Sequence, residues 1–141
     1  MNSKPKYSLL EAKQKLEAYC AYQERCDQEI RQKCRNWNLY SEDTDILISD
    51  LIVSNFLNEE RFARAYASGK FRIKKWGRNK IKLNLKKKAI SQYSINASME
   101  EIDDEEYSQT LNDLAEKKSA LIKEKDVWKR RQKLMRYLSG K

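Results

Sequence analysis

Ten basic side chains lie between Lys70 and Lys88: Lys70, Arg72, Lys74, Lys75, Arg78, Lys80, Lys82, Lys86, Lys87 and Lys88. No acid interrupts them, and Phe71 and Trp76 are interleaved. Ammonium and guanidinium groups at this density suit phosphate chemistry. Each neutralised phosphate releases counterions, and an aromatic ring between cations offers a face to a stacked base. A window of net +10 repels itself, so within a folded domain it points to an anionic partner. The plainer reading, lysines filling solvated helix faces, suits scattered charges better than this run. An acidic groove on a protein would satisfy the strip as well as nucleic acid would. Lys129, Arg130, Arg131, Lys133 and Arg136 form a second cluster of the same kind.

Other chemistries are poorly served. Histidine is absent, which removes His-based acid–base catalysis, Ser–His and Cys–His nucleophile pairs and His-ligated metals. Cys20, Cys26 and Cys34 show no CxxC spacing and are expected as reduced thiols on helices, with Cys34 a small buried apolar residue. The acidic run Glu100, Glu101, Asp103, Asp104, Glu105 and Glu106 lacks the spacing of an EF-hand loop and fits the start of a helix better. A carboxylate–metal nuclease would need an acidic pair beside the basic strip, and the sequence places none there. The expectation is a non-enzyme with no cofactor and no metal.

The elements follow from composition and periodicity. Three glycines and one proline are about 3% of 141 residues, against roughly 12% on average, too few for a fold rich in tight hairpins. With 36% charged and 40% apolar residues, helices with narrow apolar stripes are favoured, and the fold class is all-α. The net charge is 30 minus 21, or +9, and no apolar run approaches the ~18 residues of a membrane span. A cytoplasmic, monomeric chain without a membrane partner is expected.

Ser8 with Glu11 is a capping box for a first helix near Leu9 to Gln23, and Asp27 is placed as the cap of a second carrying Ile30 and Cys34. Ser41 opens a third whose Ile46, Leu47, Ile48, Leu51, Ile52, Val53 and Phe56 predict burial on most sides. Asn58 caps a helix to about Lys75 with Phe62, Tyr66 and Ile73 on one face, and Gly77 is its breaker. A short helix with Ile81 and Leu85 and a small one with Ile95, Met99 and Ile102 follow. A long helix then spans about Asp104 to Lys123, with Tyr107, Leu111, Leu114, Leu121 and Ile122 in a stripe, and Asp126 caps a last one holding Trp128, Leu134 and Leu138. Phe62, Tyr66, Tyr107 and Trp128 read as core first and contact residues second.

The order long helix, short helix, third helix occurs twice and begins again. The pairs Ile30/Cys34, Ile81/Leu85 and Leu134/Leu138 align at offsets of 51 (81−30) and 53 (134−81) residues, a period typical of stacked supersecondary units. The units are placed at 1–57, 58–103 and 104–141, the third incomplete because its last helix is missing. The basic cluster at Lys129 to Arg136 is the counterpart of Arg78 to Lys82, which would put cations along one side of the array.

The stretch Asn58-Glu59-Glu60-Arg61-Phe62-Ala63-Arg64-Ala65-Tyr66, followed by Lys75-Trp76-Gly77 and by Ile81, Leu85, Lys88, Ala89 and Ile90, resembles the RecX family. Lys133-Leu134-Met135-Arg136-Tyr137-Leu138 looks like that family's third-repeat helix, while the first unit matches weakly. The sequence departs from the family pattern at Ala89, where a glycine is common, and at the C-terminal end. The resemblance implies an elongated, curved array of three-helix units that lies in the groove of the RecA–single-stranded-DNA filament and usually weakens it. RecA is the partner so implied, with single-stranded DNA a second candidate, and no catalysis is implied. A basic helix-turn-helix-like module without a recombinase partner is the alternative function. The fifteen basic residues of the two clusters are the candidate contacts.

Overall fold

The computed structural model describes residues 4–141 and is helical throughout its regular structure. The order is α1 (Leu9–Tyr22), α2 (Asp27–Asn36), α3 (Ser41–Val53), α4 (Glu59–Arg72), α5 (Arg78–Lys87), α6 (Gln92–Ser98), a 3-10 turn (Met99–Glu101), α7 (Asp104–Leu121) and α8 (Val127–Ser139). Helix starts obey local capping chemistry. Ser8 and Glu11 close a reciprocal capping box, and the side chains of Asn58, Ser91, Asp103 and Asp126 each accept a backbone N–H of the turn they precede. Asp27 is not the cap of α2. That place falls to Cys26, whose N–H donates to Glu29 at 3.0 Å, and Asp27 sits one residue inside the helix.

Helix ends explain how the chain turns with so few glycines. Asn38, Asn55, Lys75 and Ala89 hold left-handed backbone angles (φ 57°, 63°, 59° and 61°), and no glycine does. After Asn38, Asn55 and Ala89 the next residue's N–H bonds back five residues, to Cys34, Leu51 and Leu85 respectively, the Schellman closure. Lys75, not Gly77, turns the chain after α4; Gly77 is the residue preceding α5 and has φ −77°.

Two cores form, one per helix triplet. Ala12, Leu16, Cys20, Ile30, Cys34, Leu47, Ile48, Leu51 and Leu57 fill the first. The second comprises Phe62, Ala63, Ala67, Phe71, Ile81, Leu85, Ile90, Ile95 and Ile102, with Cys26 from the first triplet. The aligned pairs Ile30/Cys34 and Ile81/Leu85 are all 0% exposed, so the short helices do seat in equivalent ways. In the third set Leu134 and Leu138 are only half-buried, and α7 and α8 contain no buried residue. The accessible surface is 9729 Å², against roughly 7,600 Å² for a compact monomer of 16.8 kDa. Repeat units that touch only their neighbours leave this excess.

Three expectations of burial fail, and one of helix continuity. On α3 the stripe is Thr44, Leu47, Ile48 and Leu51, while Ile46, Ile52 and Val53 are exposed because α1 and α2 cover one side only. Ile73 lies just beyond the end of α4 and is exposed; Phe71 takes the core place, at 3% exposure. Leu121 and Trp128 are exposed, since α7 and α8 have only each other and one edge of the second triplet to pack on. The expected helix around Ile95 to Ile102 breaks into α6 and the 3-10 turn, with Ile95 and Ile102 still buried.

Candidate functional site

The strip from Lys70 to Lys88 wraps the turn between α4 and α5. Lys70 and Arg72 close α4, Lys74 and Lys75 lie in the connection, Arg78, Lys80, Lys82, Lys86 and Lys87 ride on α5, and Lys88 follows its end. The inward side of α5 is fixed by Ile81 and Leu85, which leaves Lys82, Lys86 and Lys87 exposed around them. Trp76 is half-buried between two cations, with Lys70 Nζ 4.9 Å and Lys80 Nζ 4.6 Å from its ring centroid. Tyr66 meets Trp76 edge-on at 6.4 Å and lies under Lys70 at 5.4 Å and Lys88 at 6.0 Å. The Tyr66–Trp76 corner thus gathers three lysines from three segments. Cation–π contact holds them loosely, at about 0.5–1 kcal/mol each where water reaches.

Phe71, expected beside Trp76 as a second stacking face, is unavailable, because it packs in the core against Tyr107 at 5.9 Å. Tyr66 is the aromatic that takes its place, and the sequence signal for it was its spacing of four from Lys70 on one helix face. Burial pushes the Tyr66 phenol up from its ordinary pKa, so its hydroxyl stays protonated.

The two arginines of the strip are not free. The Arg78 guanidinium pairs with Asp104 and stacks 4.1 Å over the Tyr107 ring, and Arg72 Nη2 is 3.8 Å from Glu106. No ion pair among the described residues engages the strip's eight lysines. In the second cluster, all on α8, Arg130 donates to the Ser119 carbonyl and hydroxyl and Lys133 pairs with Glu124 at 3.7 Å. Lys129, Arg131 and Arg136 are exposed. The acidic run divides its work: Glu100 and Glu101 each bond Arg64 at 3.0 Å, while Asp104 and Glu106 face the strip.

Metal ligands and thiols are the remaining reactive groups to place among the described residues. No group of three or more Cys, Asp and Glu side chains is placed to hold a metal there. No helix there is long and apolar enough to cross a membrane. Cys20, Cys26 and Cys34 are buried free thiols, and burial raises all three pKa values, which suppresses the thiolate.

Fold and site together define a helical-repeat protein whose outward chemistry is cationic and aromatic. Residues 58–99 match the family model for the second three-helix domain of RecX, and residues 104–141 match that for the third. Regulatory protein RecX of Clostridium perfringens is 34% identical over 119 residues, covering 83% of this chain and 55% of the relative. That of Clostridium tetani is 37% identical over 97 residues, covering 67% and 44%. The crystal structure of RecX from Lactobacillus salivarius superposes with a TM-score of 0.83 at 22% identity, covering 94% of this chain and 86% of that one. The chain belongs to the RecX family. It spans about half the length of the curated relatives it matches.

Proposed function

We propose that this chain regulates the RecA recombinase, lying in the groove of the RecA–single-stranded-DNA filament and weakening it without catalysis. Membership of the RecX family carries the reading. Its physical support is the strip of lysines around Tyr66 and Trp76, free of ion pairs with described residues and set on a repeat array that can follow a helical track. In this reading the chain acts as a monomer in the cytoplasm, and the exposed lysines meet phosphates or acidic side chains of the filament.

The test is RecA's single-strand-dependent ATP hydrolysis, with single-stranded DNA held in excess over the added protein. A fall at substoichiometric ratios to RecA is expected, because competition for excess DNA cannot produce it. Changing Lys80, Lys82 and Lys86 together to Glu should preserve helicity and reduce the inhibition by roughly tenfold or more, given the cost of reversing several contacts. Unchanged inhibition by a folded triple variant would remove the strip from the mechanism. Tight binding to one duplex sequence, with no effect on RecA, would favour a helix-turn-helix-like DNA reader instead.

A further inference from the structure

Three of the four arginines of α4 and α5 are met by a run of carboxylates from the chain itself, the fourth, Arg61, being paired with Glu24. Arg64 is bonded by Glu100 and Glu101, Arg72 is paired by Glu106, and Arg78 is paired by Asp104. A string of negative charges laid along a row of arginines has the chemistry of a polyanion, since carboxylate and phosphate offer the same acceptor pair to the guanidinium fork. The last two of these carboxylates lie on the first turn of α7, which also carries Tyr107 onto Phe71 and Arg78.

The attachment of α7 is light enough to exchange. Asp104 and Glu106 have side-chain exposures of 95% and 55%, and their partners Arg78 and Arg72 of 29% and 54%. Pairs open to water in this way are weak and screened by salt. Neither α7 nor α8 has a buried residue to hold the segment down independently. Further ties are Tyr107, a bond from the Gly77 N–H to the Lys141 carbonyl, and the half-buried Leu111, Leu114 and Leu138, which line a cavity shared with Phe71 and Trp76. Meanwhile the neighbouring lysines of the strip have no acidic partner among the described residues and would draw an incoming polyanion to the same place.

We propose that Asp104 and Glu106 form an internal latch. They occupy Arg78 and Arg72 of the basic strip as a stand-in for phosphate, and a bound phosphate chain displaces them, loosening α7 and α8 from the second triplet. The inference rests on the reading of the strip as an anion-binding surface and adds its regulation. Because coupling is reciprocal, whatever holds α7 down weakens anion binding, and anion binding lifts α7 by the same factor.

The test compares two double variants of equal charge on the same helix. Asp104→Asn with Glu106→Gln removes the latch carboxylates; Glu105→Gln with Glu116→Gln removes two that make no ion pair among the described residues. The probe is an oligothymidylate of about 20 nucleotides, long enough to cover a strip of this kind. The latch variant should bind it roughly tenfold more tightly than wild type, and the control less than about threefold. Adding the oligonucleotide to wild type should also accelerate backbone hydrogen exchange along α7. Equal tightening by both variants, or exchange along α7 that is unchanged or slowed, would overturn the latch. Failure of the underlying reading is distinguishable: Lys80, Lys82 and Lys86 changed to Glu would then leave oligonucleotide affinity unaltered.

Discussion

The junction between the first and second helix triplets and the junction between the second triplet and α7–α8 are built on different physics. At the first, Arg61 is fully committed: it pairs with Glu24, two residues beyond α1, and donates to the Asn55 side chain and to the Asn55 and Phe56 carbonyls. Cys26, 1% exposed, carries the first triplet directly into the second core. At the second junction the contacts include two water-exposed ion pairs, an aromatic ring that is only half-buried and a bond from the Gly77 N–H to the Lys141 carbonyl. Both junctions use arginine and carboxylate, so residue type does not set them apart. What differs is whether the arginine itself also donates to backbone carbonyls and whether a buried side chain crosses the junction, and that decides which junction can open.

The largest expected contrast is in core truncation. Leu85→Ala empties a site that is 0% exposed between α4 and α5 and should cost about 3 kcal/mol in urea unfolding. Leu138→Ala, at the aligned place on half-buried ground, should cost about 1 kcal/mol or less. Equal penalties would mean that the third set packs as firmly as the second, and the comparison would fail.

Next comes Arg61→Ala, which strands two backbone carbonyls and the Glu24 carboxylate, whose side chain is 24% exposed. A loss of about 2 kcal/mol is expected, nearly the same at low salt and at ~1 M salt. Arg72→Ala with Arg78→Ala should cost less than about 1 kcal/mol, and that cost should fade in high salt. A salt-sensitive Arg61 would make the two junctions alike.

Legibility in the sequence tracks the range of the forces involved. Ser8, Asn58 and Asp126 were readable as caps because a cap is satisfied within three residues. Ile30/Cys34 and Ile81/Leu85 were readable because helical period fixes which side faces inward. The stripe of α4 is hard to read because it runs through Ala63 and Ala67 to Phe71, and two alanines mark a row less strongly than the bulkier Ile73 does. Ile73 stands past the last helical residue, where the period no longer governs it. Of the site, the cationic strip was visible as composition, but its arginines' partners lie 26 and 34 residues away (104−78, 106−72), beyond any local pattern. Tyr66 and Trp76 are only ten residues apart (76−66), but it is the turn after α4 and not helical period that makes them neighbours.

The smallest expected effect concerns the turn that seats α5 against the first junction. Ala89 occupies the place that Asn38 holds one repeat earlier (38+51), and both adopt left-handed angles, φ 61° and 57°. An L side chain strains there, asparagine less than most, because its short polar group bonds locally. Ala89 must accept the strain so that the Ile90 N–H can reach the Leu85 carbonyl at 3.2 Å and Ile90 can enter the core. Ala89→Gly relieves it while leaving Arg61, Glu24 and both arginines of the second junction untouched, and should raise stability by roughly 0.5–1 kcal/mol. The gain should add to the Arg61→Ala penalty, since the two changes share no side-chain bond. If the gain disappears in the Arg61→Ala background, the Ala89 turn and the Arg61 contacts are one cooperative structure, and the first junction extends further into the second triplet than its hydrogen bonds indicate.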